Sequence, residues 1–293
     1  MPLNKPYNIS VLLLISLLAL TGCKDSPAPT ASPVRSAADV GEMGKGPANE
    51  SSAQLPGDGQ AVDGAAGKIA DHFGTAVIRG VVRFEGQRPR PKPIKMQGDH
   101  ACNADGATVP SPGTVVSKSG GVPHVFVFIR KGIDGEYAPP EESVQLDQKG
   151  CMYVPHVLGI QVGQPLRVTN SDPTTHNIHG LFQKNERFNI NQAGQGVFTI
   201  KKFTRPEVMA KFKCDVHGWM TAYAGVLRHP FFSVTDAEGV FEVSRLPPGD
   251  YVLEAWHELW GTLQQDVTVT EGQTLDVRFA YSREKKTAGG AGG

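Results

Sequence analysis

The stretch PEVMAKFKCDVHGWMTAYAGVL (206–227) reads as a strand, a short loop and a second strand, and the parity of its side chains decides what the fold encloses. Successive side chains of a strand point to opposite faces. Over 206–214, Val208, Ala210, Phe212 and Cys214 therefore share one face, and Met209, Lys211 and Lys213 share the other. The apolar set belongs to a core, which turns Cys214 inward at the end of its strand. Beyond the loop, Met220 is in phase with Ala222, Ala224 and Val226. Upstream, His176 of THNIHGLF (175–182) shares a face with Ile178 and Phe182, while Asn177 and His179 point the other way. Three core-facing side chains with sulfur or imidazole donors thus sit at strand ends, and His217 occupies the loop between two of those strands.

The same alternation extends outward from this stretch. AVIRGVVRFEG (76–86), VPHVFVFIR (122–130), QPLRVTN (164–170) and GVFTIKKF (196–203) read as strands, as do GVFEVSRL (239–246), DYVLEAWHE (250–258), TLQQDVTVT (262–270) and TLDVRFAY (274–281). Turns such as Asp236-Ala237-Glu238-Gly239 and Pro247-Pro248-Gly249-Asp250 separate them. Short strands without intervening helical periodicity predict an all-β sandwich or barrel, and 34 glycines and 22 prolines suit its many turns. Lys plus Arg equals Asp plus Glu at 29 each, so no strong field draws the chain to nucleic acid. No glycine-rich phosphate loop or basic-aromatic stripe is present either.

Cys214-x-x-His217-x-x-Met220 with His176 upstream supplies two imidazoles, a thiolate and a thioether. Thiolate and thioether select soft metals, and a trigonal His₂Cys set with a weak axial Met is the arrangement of a mononuclear blue (type 1) copper ion. Zinc would draw more cysteines or carboxylates and seldom a methionine. A dinuclear copper site would need two bridging thiolates, and Cys214 alone is at hand in this motif. The bland alternative treats Cys214 and Met220 as core filler and the two histidines as ordinary hydrogen-bonding residues.

At these residues the chain resembles the cupredoxins. VPHVLGIQVGQPLRVTNSDPTTHNIHG (154–180) is similar to their segment leading to the first ligand histidine, and CDVHGWM (214–220) to the short ligand loop of amicyanins. The resemblance implies His176, Cys214, His217 and Met220 as copper ligands, with Asn177 bracing the loop and hydrogen-bonding near the thiolate. Thr175 departs from the proline usual before the first histidine. His217, on the loop, is expected nearer the surface than Cys214 and so the exit for electrons. Trp219 could face a partner or cover the metal. His179, by parity, points away, and Tyr153 and His156 read as packing residues.

The tail TDAEGVFEVSRLPPGDYVLEAWHELWG (235–261) resembles carboxypeptidase regulatory-like modules, which belong with the carbohydrate-binding-like and transthyretin-like β-sandwiches. AVIRGVVRFEGQRP (76–89) is similar to the opening strand of the same module. The expected fold is therefore a cupredoxin-like Greek-key β-sandwich plus a smaller regulatory-like β-sandwich. The expected organisation is a leader (1–22), a disordered tether (23–74), N-terminal strands that can pair with the C-terminal module (75–121), a copper domain (122–230), the regulatory-like sandwich (231–283) and a disordered tail (284–293).

The leader follows from ISVLLLISLLAL (9–20), an apolar run too short to span a bilayer but suited to a signal peptide. Leu20-Thr21-Gly22-Cys23 resembles a bacterial lipobox, which implies cleavage before Cys23 and its lipidation. Lys24 rather than aspartate after it points to the outer membrane. In an oxidising envelope the remaining pair, Cys102 and Cys151, is expected to form a disulfide. The alternative, a Cys-His nucleophile in DHAC (Asp99, His100, Cys102), lacks any legible oxyanion-hole motif.

Together these readings predict a lipid-anchored cell-envelope electron carrier rather than an enzyme, exchanging single electrons with a c-type cytochrome or a periplasmic dehydrogenase or reductase. The chain has no Cys-x-x-Cys-His, so any haem belongs to the partner. The alternative from another class is a surface binding module in which Trp256 and Trp260 meet carbohydrate and copper is structural or absent. A copper chaperone is a third reading, which four closed ligands disfavour.

Overall fold

Alternating and doubly apolar segments order themselves into β1 (Ala76–Glu85), β2 (Pro93–Ile94), β3 (Val109–Pro110), β4 (Phe126–Lys131), β5 (Val144–Gln148) and β6 (Tyr153–Val154). There follow β7 (Val157–Gln161), β8 (Pro165–Asn170), β9 (His176–Leu181), β10 (Phe188–Gln192), β11 (Phe198–Lys202) and β12 (Glu207–Lys213). The last are β13 (Thr221–Leu227), β14 (Phe232–Val234), β15 (Val240–Leu246), β16 (Gly249–His257), β17 (Gly261–Val269) and β18 (Thr274–Ser282). This computed structural model describes residues 72–283 apart from 97, 103–105 and 107, and the described chain is all-β with two short 3₁₀ turns. The leader, Cys23, nearly all of the tether and the tail from 284 lie outside the described residues. Order begins before residue 75: the Phe73 ring packs edge-on against Tyr137 and Phe231, under the Arg245 guanidinium.

One sandwich places the five-stranded sheet β10-β9-β12-β13-β7 against the four-stranded sheet β11-β8-β5-β6. Its core holds Leu146, Ile160, Leu166, Val168, Ile178 and Phe212, and the inward-facing Cys214 and Met220 join it. Strand β12 departs from simple parity. Glu207 pairs with Val226 but Ala210 with Ala224, so three steps on β12 face two on β13, a β-bulge. Met209 takes φ 58° there, and Val208, which alternation places in the core, is 39% exposed. Beyond the bulge parity is restored, and Ala210, Phe212 and Cys214 face inward.

The second sandwich places β15-β1-β18 against β14-β4-β16-β17. β1 lies between β15, antiparallel, and β18, parallel, so the N-terminal strand is central to a sheet completed by the end of the chain. β4, which lies within the copper segment 122–230 of the sequence reading, hydrogen-bonds to β14 and β16 instead. The reason is that both of its faces are apolar. Val125, Val127 and Ile129 enter the core of the second sandwich, while Phe126 and Phe128 point the other way.

Those two rings form the seam between the sandwiches. Gly159 of β7 pairs with Gly225 of β13, leaving a flat patch on the outer face of the five-stranded sheet. Phe126 and Phe232 fill it so closely that a Cβ at Gly159 or Gly225 would fall 2.2 Å from a ring carbon. Val157, Leu227, Tyr223 and Trp256 complete this apolar layer. A polar pair crosses the same seam, with His156 Nε2 2.5 Å from Glu258 Oε1.

His257, 1% exposed and stacked on Trp260 at 4.0 Å, gives the fold an acid sensitivity. Burial, opposed by Glu258, pushes its imidazole down to about 4 from 6.5. The unfolded chain therefore takes a proton that the folded chain refuses. Its contribution is complete above about pH 6.5 and is lost as pH falls towards 4, by at most about 1.4 kcal/mol per pH unit. Urea unfolding at pH 7 and pH 5 should show this loss, and His257→Phe should reduce the pH slope whatever it does to stability at pH 7. An unchanged slope would exclude the assignment.

Candidate metal centre

The sequence motif becomes a site because three strands end at one edge of the first sandwich. His176 opens β9, Cys214 directly follows β12, and Met220 directly precedes β13. The loop between Cys214 and Met220 closes on itself, Cys214 N–H donating to Met220 O (3.1 Å) and Met220 N–H to His217 O (2.9 Å). A His176 ring nitrogen, Cys214 Sγ and a His217 ring nitrogen all lie within 4.8 Å of one another, and all three residues are buried. Met220 is fully buried in the same apolar cluster as Cys214.

The outer edges of the two imidazoles have carboxylate partners. His176 Nε2–H donates to Asp172 Oδ2 at 2.9 Å, and His217 Nε2–H donates to Asp99 Oδ2 at 3.1 Å. These acceptors place the proton of each ring on Nε2 and leave a lone pair on each Nδ1. The two Nδ1 atoms then face each other at 2.9 Å. Lone pairs that close repel unless a cation or a shared proton lies with them. Burial holds the His176 imidazole below its ordinary value, against Asp172, which favours the charged form. A neutral imidazole keeps its lone pair for a metal.

Cys214 supplies the soft donor. Its Sγ lies 3.3 Å from Asn177 Oδ1 and accepts the His217 backbone N–H at 3.3 Å. Asn177 Oδ1 also accepts the N–H of Asp215 (2.7 Å) and of Val216 (3.3 Å), so one side chain holds the start of the loop. Two further groupings, Cys102 with Cys151 and His217, and Cys151 with Asp172 and His176, are equally tight. Their sulfurs are joined in the Cys102–Cys151 disulfide and offer no thiolate. Cys214 is the free cysteine among the described residues, so the set with His176 and His217 is the one that fits a thiophilic ion.

The surroundings assign several other residues. His217, expected nearer the surface than Cys214, is 3% exposed against 1%, and the turn Asp99–Cys102 lies over it, so both are buried. Trp219 covers the centre, its Nε1–H donating to Cys151 O (3.0 Å) and its ring centroid 5.2 Å from that of His217. His179 turns outward to Asp215 Oδ2 at 2.9 Å. Tyr153, read as packing, donates its hydroxyl to Asn177 O (2.7 Å) and Lys213 O (3.1 Å), tying two ligand-bearing strands together. Asp99 and Asp172 carried no ligand signal in the sequence. Asp99 meets His217 only because the fold closes a long separation, and Asp172 is one carboxylate among many.

The two tryptophans of the C-terminal tail do not form a shared platform. Trp256 packs into the seam against Tyr223, with centroids 5.1 Å apart, while Trp260 stacks on His257 and contacts Phe84 in the second core. Cys102 of DHAC is in the disulfide, and its neighbour Asp99 serves His217.

No protein-family model and no curated protein matches the chain. Solved structures match part of it. A purple cupredoxin from Nitrosopumilus maritimus is 25% identical with a TM-score of 0.25, over 28% of this chain and 97% of that chain. A copper-containing nitrite reductase from Thermus scotoductus SA-01 is 22% identical with a TM-score of 0.28, over 35% of this chain and 25% of that chain. An oxidised amicyanin variant is 18% identical with a TM-score of 0.27, over 34% and 97% respectively.

Proposed function

We propose that the chain is a copper-binding electron carrier of the cell envelope, its first sandwich cupredoxin-like and its second of the regulatory-like kind, anchored through a lipid on Cys23. The observation that carries this reading is the convergence of two buried Nδ1 atoms, 2.9 Å apart, with the buried thiol of Cys214. Their outer nitrogens already donate to carboxylates, so the inner donors are set for a cation. His176, Cys214 and His217 would hold the copper ion, with the Met220 thioether as a further, weaker donor. Bound copper supplies one-electron chemistry.

The protein's part is to hold those donors in place. Asn177 and the backbone bonds between Cys214 and Met220 fix the loop, and Tyr153 fixes the strands beneath it. The covering layer of Trp219 and the turn Asp99–Cys102 excludes water, and electrons would cross that layer to a c-type cytochrome or a periplasmic dehydrogenase or reductase. The carbohydrate-binding alternative has no tryptophan platform to support it.

Titration of the purified chain with copper(II), followed by visible spectroscopy, tests the reading. The expected result is one equivalent bound, an intense thiolate-to-copper charge-transfer band and reversible one-electron reduction. A chain that takes up no copper, or binds it without colour, would overturn it.

A further inference from the structure

The turn Asp99–Cys102 belongs to neither sandwich's strands, yet it makes the only contact that the Nε2 edge of His217 has with a carboxylate among the described residues. Asp99 holds the turn with one oxygen and the site with the other. Its Oδ1 accepts the Ala101 N–H at 2.8 Å, while Oδ2 accepts from His217 at 3.1 Å and from the Thr174 hydroxyl at 2.6 Å. Three residues on, Cys102 is bonded to Cys151, and its Sγ lies 3.5 Å from the same His217 Nε2.

Cys151 is itself fixed to the site. It is fully buried, its N–H donates to Asp172 Oδ2 at 2.8 Å, and its carbonyl accepts the Trp219 indole N–H. Asp172 is the carboxylate that accepts from His176. A closed circuit therefore runs from His176 through Asp172, Cys151, Cys102 and Asp99 to His217, and its one covalent cross-link is the disulfide. Without that link, keeping Asp99 in place would require ordering the turn against its own chain entropy at every encounter.

We propose that the disulfide-tethered turn Asp99–Cys102 is a clasp on the metal centre. Asp99 sets the tautomer and plane of His217, and the Cys102–Cys151 bond keeps Asp99 there, so metal retention depends on a disulfide that supplies no ligand. This rests on the copper reading for its metal-retention part alone. Asp99 is a positioning residue in it and touches no metal.

The test uses Asp99→Asn, which keeps the size and the turn, and Cys102→Ala/Cys151→Ala, which opens the clasp without adding a donor. In the metal-free protein, ¹H–¹⁵N correlation of the imidazole nitrogens reads the His217 tautomer. The wild type should show His217 Nε2 carrying a proton, alongside any proton shared between the two Nδ1 atoms, and both variants a partial loss of that Nε2 proton to Nδ1. In the copper-loaded protein, both variants should bind copper(I) about 10–100-fold more weakly in competition with a chelator and release it correspondingly faster. Cys102→Ala/Cys151→Ala should also be the more mobile around residue 99. A His217 Nε2 proton fully retained in Asp99→Asn, or copper(I) affinity within about twofold of wild type in both variants, would overturn the proposal. The tautomer measurement needs no metal, so it decides the hold of Asp99 on His217 even where copper binding itself fails.

Discussion

Cys214→Ser is expected to remove the visible charge-transfer band completely and to weaken copper(II) binding by at least about 100-fold, beyond what loss of an outer-shell partner costs. The band depends on a thiolate, and a serine hydroxyl stays protonated at neutral pH and is a hard donor. The fold should persist. A hydroxyl at this position can donate to Asn177 Oδ1 and accept the His217 N–H, the two contacts the sulfur makes now. Folding stability should therefore change by about 1 kcal/mol or less. Copper titration and the visible spectrum check the first part, and urea unfolding of the metal-free protein checks the second. A variant that keeps the band would place the copper elsewhere.

Phe126→Ala is expected to destabilise the chain by about 3–5 kcal/mol, a large share of the roughly 5–15 kcal/mol that holds a typical domain together. The ring is fully buried and contacts Phe128 (centroids 5.3 Å) and Phe232 (5.6 Å) over the paired glycines. Removing it empties the seam, and neither rigid sheet can collapse into the space. Gly225→Ala should be destabilising from the opposite direction, since its Cβ would meet the Phe126 ring at 2.2 Å. In the double variant the smaller ring position should accommodate the added methyl, so the two losses should add to less than their sum. Denaturant unfolding measures all three. A Phe126→Ala loss below about 1 kcal/mol would mean that the sandwiches do not depend on this seam.

Strand parity was legible where alternation is clean. His176, Cys214 and Met220 were all turned inward by period two alone, and each is at most 1% exposed. Val208 escaped the rule because a bulge is a local count of residues between partners, visible only once β13 is paired. β7 was hard to see as a strand because both of its faces are buried, which removes the alternation that marks one. β4 was legible as a strand but not in its partners, because a strand apolar on both faces can serve either of two layers.

The sequence by itself determined the all-β class, the inward face of the thiol, imidazole and thioether donors, and the short loop that brings His217 beside them. These follow from local periodicity and spacing, which hold wherever pairing introduces no bulge. Tertiary structure decided everything that depends on closure over long separations. It brought Asp99 across to His217, joined Cys102 to Cys151 beside the site, laid the turn Asp99–Cys102 over the loop histidine, and set β1 between β15 and β18. The physical reason is the same in each case: a carboxylate, a cysteine or a strand edge carries no sign of its partner until the packing of apolar faces has fixed which segments meet.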